Sequence, residues 1–463
     1  MSRGVAGLLQ RESARHVVWN LLGFMVPAGV ALLVVPILAR RLDPDRLALL
    51  ALLWSGISFY ALLDLGVGRA LALRVTASLA TGRDDAVGPL IWNAGWLAWF
   101  GGTPLALLGV LSAPWLTGRL DLASPGAALD ATVVIRWLAI ALPLVVHGVL
   151  LRAAFEGARR YALVNLLRAP VMLASYLAPL GVVALGGGVV AMAQVIVATR
   201  LVYLLGQLVL LDRLAPDTRR PRRLDLRVVR DLVGSGAWIM ASALISPLLL
   251  QGDRLLLPLV VPLSDFGWYA TVAEGAMRLW MLTGALQPVL FTRLVTAAAE
   301  EGPPPAEVVR WSVRATVGFL VPPSVVLLLA ADPLLRWWLG PVFDPRAVWA
   351  IGLVLVGVVA GGFSQVAYAV LQSHDQARAV ALLHLFQLPI LAVILVGGSV
   401  WFGVLGAAAA WSARLIVDAV LTWRLVFLRV PTLRAMLGQA VRLGIISLGL
   451  LIAAVWTAGQ VTG

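Results

Sequence analysis

"EGARRYALVNLLRAP" (156–170) returns in the second half of the chain as "DQARAVALLHLFQLP" (375–389). Laid together without a gap, Glu156 meets Asp375, Ala158 meets Ala377 and Arg159 meets Arg378. Asn165 then meets His384, and Pro170 meets Pro389. Two more segments repeat at nearly the same offset. Residues 45–82 align with 265–302 and end "VTASLATG" and "VTAAAEEG". "GVVAMAQVIVATRL" (188–201) aligns with "GVLGAAAAWSARL" (403–415) across one gap, which sets Arg200 opposite Arg414. Three matches in one register point to an internal duplication.

The composition says what is duplicated. Of 463 residues, 61% are hydrophobic and 13% charged, about half the charged share of a soluble protein. Apolar runs long enough to cross a ~30 Å hydrocarbon core recur throughout. Breaking the chain at charged and Gly/Pro-rich segments predicts spans near 17–39, 47–70, 89–113, 131–153, 162–184 and 188–211. A second set lies near 231–257, 267–293, 312–331, 346–371, 379–398 and 403–427, with one more near 443–460. The fold class is therefore an all-α polytopic membrane protein. Six spans separate the repeats, so both halves cross in the same direction. That implies two six-helix lobes related by a pseudo-two-fold along the membrane normal, enclosing a central cavity with the substrate site near the midplane. The expected organisation is an N-terminal lobe (1–211), a basic linker (212–230), a C-terminal lobe (231–427), then a basic loop with an extra helix (428–463).

The run at 17–39 is too long for a signal-peptide core and reads as a retained first span. The chain has no cysteine, so disulfides and thiolate metal sites are excluded, and no metal site is expected. The formal charge of +13 comes from arginine alone, since there is no lysine. Most arginines fall in loops on one side. Arg69, Arg74, Arg83, Arg152, Arg159, Arg160, Arg168 and the segment "DRLAPDTRRPRRLDLRVVR" (212–230) share that side with the N-terminus. By the positive-inside rule it is cytoplasmic. These arginines read as topology signals facing anionic lipid headgroups; no nucleic-acid motif accompanies them.

Some charges fall inside spans. Arg200, Arg278 and Arg414 lie about twelve residues, roughly 18 Å, from the outer ends of theirs, too deep to snorkel easily. Such residues usually face a water-filled cavity or pair with each other. An arginine's fixed fork of donors suits phosphate oxygens. Glu274–Arg278 and Arg414–Asp418 have the i,i+4 spacing that lets side chains meet and read equally as self-neutralising pairs. Arg200 has no acid at that spacing. Glu274, Asp418 and Asp64 are candidates for a removable counter-ion that also takes a coupling proton or cation. Asp64 also reads as a structural partner of Arg69 or Arg74. Asp253 and Arg254, at the outer end of their span, are candidate gate residues. His147 and His384 read as helix-packing hydrogen-bond groups.

The stretch "VVPILARRLDPDRLALLALLWSGISFYALLDLGVGRAL" (34–71) resembles the first two spans of the polysaccharide and oligosaccharide flippases (the Wzx-like polysaccharide transporter family). These belong to the MATE-like multidrug/oligosaccharidyl-lipid/polysaccharide (MOP) exporter superfamily. "QGDRLLLPLVVPLSDFGWYATVAEGAMRL" (251–279) resembles that family's seventh and eighth spans, and "WFGVLGAAAAW" (401–411) its twelfth. A thirteenth span departs from the family's usual twelve or fourteen. The resemblance implies a non-enzymatic transporter of the bacterial cytoplasmic membrane, working by alternating access. Its substrate would be a polyprenyl-pyrophosphate-linked oligosaccharide for O-antigen, exopolysaccharide or a related surface polymer. It would need no cofactor beyond a proton or cation gradient, and would act beside polymerase machinery. The alternatives are a cation-coupled multidrug exporter of the same fold, or a glycan ligase or polymerase. The first should bury acids in the first span, which has none. The second needs a substantial outer loop or an acid/base constellation, and the outer loops here are short. An ATP-driven pump would need the phosphate-loop lysine.

Overall fold

The computed structural model describes residues 29–61, 67–123, 125–214, 218, 220, 223–234, 237–284, 305–374, 376–430 and 438–462. Two compact units divide the chain: Met1–Arg119 with Ala123–Leu244, and Leu120–Leu122 with Ile245–Gly463. In the first run α1 (Gly29–Ala39), α2 (Pro44–Tyr60), α3 (Val67–Ala80), α4 (Val87–Thr117), α5 (Pro125–Gly157), α6 (Tyr161–Ala184), α7 (Val189–Val209) and α8 (Leu226–Gly234). Helix α9 (Ala237–Leu256) carries the boundary. The second unit continues with α10 (Leu263–Met277), α11 (Trp280–Gly284), α12 (Pro305–Leu329), α13 (Ala331–Leu339), α14 (Arg346–Ser373), α15 (Ala377–Arg429) and α16 (Gly438–Thr462).

Each unit is organised about one central helix. In the first unit it is α5, against which α2, α3, α4 and α7 pack; in the second it is α14, covered by α10, α12, α15 and α16. Small residues on α14 let its neighbours in. A Cβ on Gly357 would lie 2.6 Å from Trp411, and one on Gly361 2.5 Å from Trp280. Helices α4, α6 and α7 turn apolar side chains such as Leu111, Trp115, Leu166, Leu177 and Val202 outward. Those faces suit hydrocarbon. Among the described residues, seven helices are long and apolar enough to cross a membrane, five of them 24 residues or longer besides α7 and α15. Helix α15 is two helices meeting at Gly403, whose φ of 58° is open to glycine at little cost. It therefore supplies two passes, near 379–398 and 403–427.

The two units share a device at one end, with its charges exchanged. Arg46, in the first turn of α2, reaches Asp130 near the start of α5 (3.0 Å) and Asp43 just before its own helix (2.9 Å). In the second unit Asp265, in the first turn of α10, takes both guanidinium nitrogens of Arg346 at the start of α14 (2.9 and 3.0 Å). Asp344, just before that helix, takes Arg346 as well (2.7 Å). The same pair of helices is pinned each time, and the arginine changes sides.

Two expectations are redrawn. The basic segment 212–230 is not a free connection where it is described. Trp92 donates to the Thr218 carbonyl (2.8 Å), and the Asn93 carboxamide oxygen accepts from the Asp225 N–H (2.6 Å). Arg74 holds Asp231 through its carbonyl (2.9 Å) and its carboxylate (3.7 Å). Helix α8 thereby packs on α3 and α4, and the first unit runs on to Leu244. Second, the apolar run at 267–293 is not one straight helix. Helix α10 ends at Met277, and α11 begins at Trp280. Across the break, Arg278 and Leu279 donate to Gly275 and Ala276 (3.3 and 3.1 Å), the tighter i→i−3 pattern. Residues 285–293 lie outside the described residues.

The C-terminal helix α16 belongs to the second unit. It packs on α12 and α14, with Trp456 edge-on to Trp349 at 6.1 Å.

Candidate functional site

Within the first unit, α2, α5, α6 and α7 enclose a cavity of about 290 Å³. Each helix turns one face to it. Helix α2 supplies Trp54 and Ser58, α5 supplies Gly148 and Arg152, α6 supplies Arg168, Ser175 and Tyr176, and α7 supplies Arg200 and Tyr203. Three guanidinium groups therefore line one small space.

They stand at graded depth. Arg152 is five residues from Gly157, Arg168 seven from Tyr161, and Arg200 nine from Val209. At 1.5 Å per residue these are about 7, 10 and 14 Å. The helices alternate in direction, so all three depths are measured from the same end of the unit. Near that end Arg152 sits 3.7 Å from the Glu156 carboxylate, and Arg168 is within electrostatic reach of Arg152, Tyr203 and Glu156.

Arg200, the deepest, has no carboxylate partner among the described residues. Its Nη2 donates to the Ser175 hydroxyl (2.5 Å), which in turn donates to the Val171 carbonyl (2.8 Å). Its Nε is buried with no hydrogen-bond partner among the described residues. A buried charge left unpaired is costly, and an unmade hydrogen bond adds to that cost. An anion entering the cavity would relieve both.

The second unit uses its charges differently. Arg254 is almost fully buried and binds the Glu274 carboxylate at 2.5 Å, while Arg278 lies 3.7 Å from its other oxygen. The expected Glu274–Arg278 pair thus exists, but Arg254 is the closer partner. Arg254 also donates to the Met277 sulfur (3.1 Å), and Asp253 next to it accepts from the Tyr269 hydroxyl (2.9 Å). The candidate gate residues are therefore tied into the Glu274 cluster.

Arg414 and Asp418 are both buried, yet they form no ion pair within 4 Å. Asp418 is held by the Tyr368 hydroxyl and by the Gln387 amide (2.8 Å), with His384 at 3.8 Å. Arg414 reaches only the Gln387 oxygen, at 3.5 Å. Side chains from other helices have taken the acid that the i,i+4 spacing offered to the arginine. His384 also shares its Nε2 with Tyr368 (2.7 Å), a helix-packing hydrogen bond of the expected kind. Asp64 lies outside the described residues.

The repeat sharpens the contrast. In the gapless match of 156–170 with 375–389, Arg168 stands opposite Gln387, and Arg200 stands opposite Arg414. The first unit surrounds its central arginine with two more arginines and one glutamate. The second surrounds the equivalent arginine with an amide and a carboxylate. Among the described residues, the first unit's cavity has cationic charge to spare and the cluster around Arg414 does not. Sequence reasoning found Arg200 but read Arg152 and Arg168 as topology charges, and it passed over Trp54, Ser175, Tyr176 and Tyr203. The signal was present as Arg168, Ser175 and Tyr176 on one otherwise apolar helix and the polar stripe 200/203/207 on the next.

Comparison with known proteins agrees on the architecture. A multidrug resistance MATE family transporter of the MOP superfamily, solved in its inward-facing conformation, superposes with a TM-score of 0.75 at 15% identity, over 91% of this chain and 99% of that one. A MOP superfamily transporter from Pyrococcus furiosus, described as having a binding pocket of reversed polarity, superposes at 0.60 with 16% identity, covering 90% and 96%. In sequence, a Shigella flexneri protein named as an O-antigen transporter is 21% identical over 416 residues, 88% of this chain and 96% of that one. Residues 13–291 match the family described as polysaccharide biosynthesis protein. That match spans more than half of a multi-pass helical chain with the fold of the MATE transporters, and the chain belongs to the polysaccharide biosynthesis protein family.

Proposed function

We propose that this protein is a flippase that carries a polyprenyl-diphosphate-linked saccharide from the cytoplasmic to the outer leaflet of the bacterial cytoplasmic membrane, for surface polysaccharide synthesis. The observation that carries this reading is the cavity of the first unit, with Arg152, Arg168 and Arg200 at graded depth and the deepest left without a carboxylate. A saccharide is uncharged, but a lipid diphosphate needs cations to leave the headgroup region. Arginine keeps its charge at any physiological pH and forks onto phosphate oxygens.

The arginine side chains give a path as well as a site. Under the positive-inside orientation, the end nearest Arg152 faces the cytoplasm. The diphosphate would meet Arg152 first, displacing its loose contact with Glu156, then Arg168, then Arg200. The two units rocking by alternating access would then open the site to the other side. The same cavity disfavours export of basic drugs, because it presents cations to a cation.

The test is flipping of a radiolabelled polyprenyl-diphosphate oligosaccharide in proteoliposomes. Wild type is expected to flip it. A folded Arg200→Ala variant should fail, and Arg152→Ala and Arg168→Ala should be slowed. Wild-type exchange of cationic drugs for protons without any flipping of the lipid would overturn the proposal.

A further inference from the structure

Cations do not account for the whole cavity. One wall is aromatic: the rings of Trp54 and Tyr176 lie 5.2 Å apart, tilted by 50°, and Tyr203 lines the space beside them. Trp54 is fixed in place, because its indole N–H donates to the Ser175 carbonyl at 3.0 Å. Ser175 is also the residue whose hydroxyl receives Arg200. A single residue of α6 thus holds the aromatic wall on its backbone and the deepest cation on its side chain. The ring face and the guanidinium are offered to one ligand together.

We propose that Trp54 and Tyr176 form a platform for the sugar ring attached directly to the diphosphate, and that the protein selects its substrate by that first sugar. The proposal rests on the flippase reading of the same cavity. The chemistry fits a sugar diphosphate better than its parts. A pyranose ring has an apolar C–H face, which suits an aromatic surface, and a rim of hydroxyls. Ser58 and Tyr203 line the same space, and their hydroxyls can meet that rim. A prenyl chain there would strip those hydroxyls and the arginines of hydrogen bonds and gain none in return. A diphosphate alone would leave the aromatic wall unused. The cavity volume, about 290 Å³, lies at the small end of ligand pockets of roughly 300–1,000 Å³. It admits one ring with its diphosphate, so the remaining sugars lie outside it.

The test measures equilibrium binding to the purified full-length protein in nanodiscs. The probes are farnesyl diphosphate and a panel carrying glucose, galactose, N-acetylglucosamine or N-acetylgalactosamine on the second phosphate, with uridine diphosphate sugars as the non-lipid arm. At least one glycosylated farnesyl probe is expected to bind about tenfold more tightly than farnesyl diphosphate, equivalent to about 1.4 kcal/mol. Trp54→Leu and Tyr176→Leu should each erase that preference, so that the glycosylated probes bind the variant no more tightly than farnesyl diphosphate does. Trp54→Phe should keep the preference, which separates loss of the platform from misfolding. Equal binding of all farnesyl probes by wild type, or a preference that survives both leucine variants, overturns the platform and leaves the flippase reading intact. Failure of wild type to bind any diphosphate overturns the reading beneath it. Uridine diphosphate sugars binding as tightly as the farnesyl-linked ones would assign the platform to nucleotide sugars and overturn the lipid-linked assignment.

Discussion

Two arginines in equivalent repeat positions have opposite consequences. Arg200 is half-buried with no acid beside it among the described residues, so removing it relieves an unpaired charge. Arg200→Met is expected to leave the melting temperature of the detergent-purified protein unchanged or raised while flipping is lost, a trade of stability for function. Arg200→Lys keeps the charge but not the fork. Charge-assisted hydrogen bonds are worth about 1.5–3 kcal/mol each, so flipping by the lysine variant should fall about tenfold or more. Asp418 behaves in the contrary way. Asp418→Ala would take from buried Arg414 the carboxylate that acts on it most strongly, with Asp253 remaining. It would also strip the Tyr368 hydroxyl and the Gln387 amide of their acceptor; each buried donor left unmet costs about 1–3 kcal/mol. A clear drop in melting temperature is expected, and an unchanged one would refute the account of the second unit. Of these residues, Arg200 was readable in sequence because no acid stood one turn away. Arg152 and Arg168 were hidden, since an arginine near the end of a span that the positive-inside rule assigns to the cytoplasm needs no further role. Arg414–Asp418 misled because i,i+4 spacing permits contact without requiring it, and Tyr368 and Gln387 compete from across the helix interface.

Between helices, the charge-exchanged clamps show what a duplication preserves. Helices α2 and α5, and their counterparts α10 and α14, must be pinned at one end in each unit; which side carries the arginine is free. The clamp in the second unit should therefore survive exchange. Arg346→Asp alone puts three carboxylates together and should lower stability. Adding Asp265→Arg restores a cross-helix pair with the arginine on α10, as Arg46 is on α2, and should recover most of the loss, read as a double-mutant cycle by thermal melting. The side chain of Arg346 is 46% exposed, and pairs of that kind are worth only about 0.2–1 kcal/mol, so the effect is modest. Burial alone would push the Asp344 carboxyl up, but its hydrogen bonds from Arg346 outweigh that and hold it below the ordinary carboxyl value. The sign follows: this contribution is complete above about pH 4, the unfolded carboxyl range, and is lost as pH falls through the depressed value. Arg346→Ala should flatten that acid limb. Element positions were readable from apolar runs and charged breaks, since both follow from the membrane's thickness. The interruption after Met277 was not, because no proline or charge run marks it. Nor was the docking of α8, which rests on Trp92 and Asn93, distant in sequence.

At the level of the whole chain, the repeat made two equivalent lobes the natural expectation, with Arg200, Arg278 and Arg414 contributing alike to one anion site. The charges divide otherwise. Arg254, Arg278 and Arg414 in the second unit have Asp253, Glu274 and Asp418 close by, so an anion gains little by approaching them. In the first unit Arg152, Arg168 and Arg200 have Glu156 alone among the nearby acids described. Inorganic pyrophosphate should accordingly bind and stiffen the first unit only. Hydrogen exchange of the protein in nanodiscs reads this directly, because a bound ligand raises the free energy of opening by about 2.7 kcal/mol at a hundredfold excess over its dissociation constant. Amides of α5, α6 and α7 around Arg152, Ser175 and Arg200 should slow when pyrophosphate is added, while those of α14 and α15 around Tyr368 and Arg414 should not change. Arg200→Gln should abolish the slowing. Equal protection around Arg414 would show that its acid gives way to the ligand, and the diphosphate would then have to be assigned to both units.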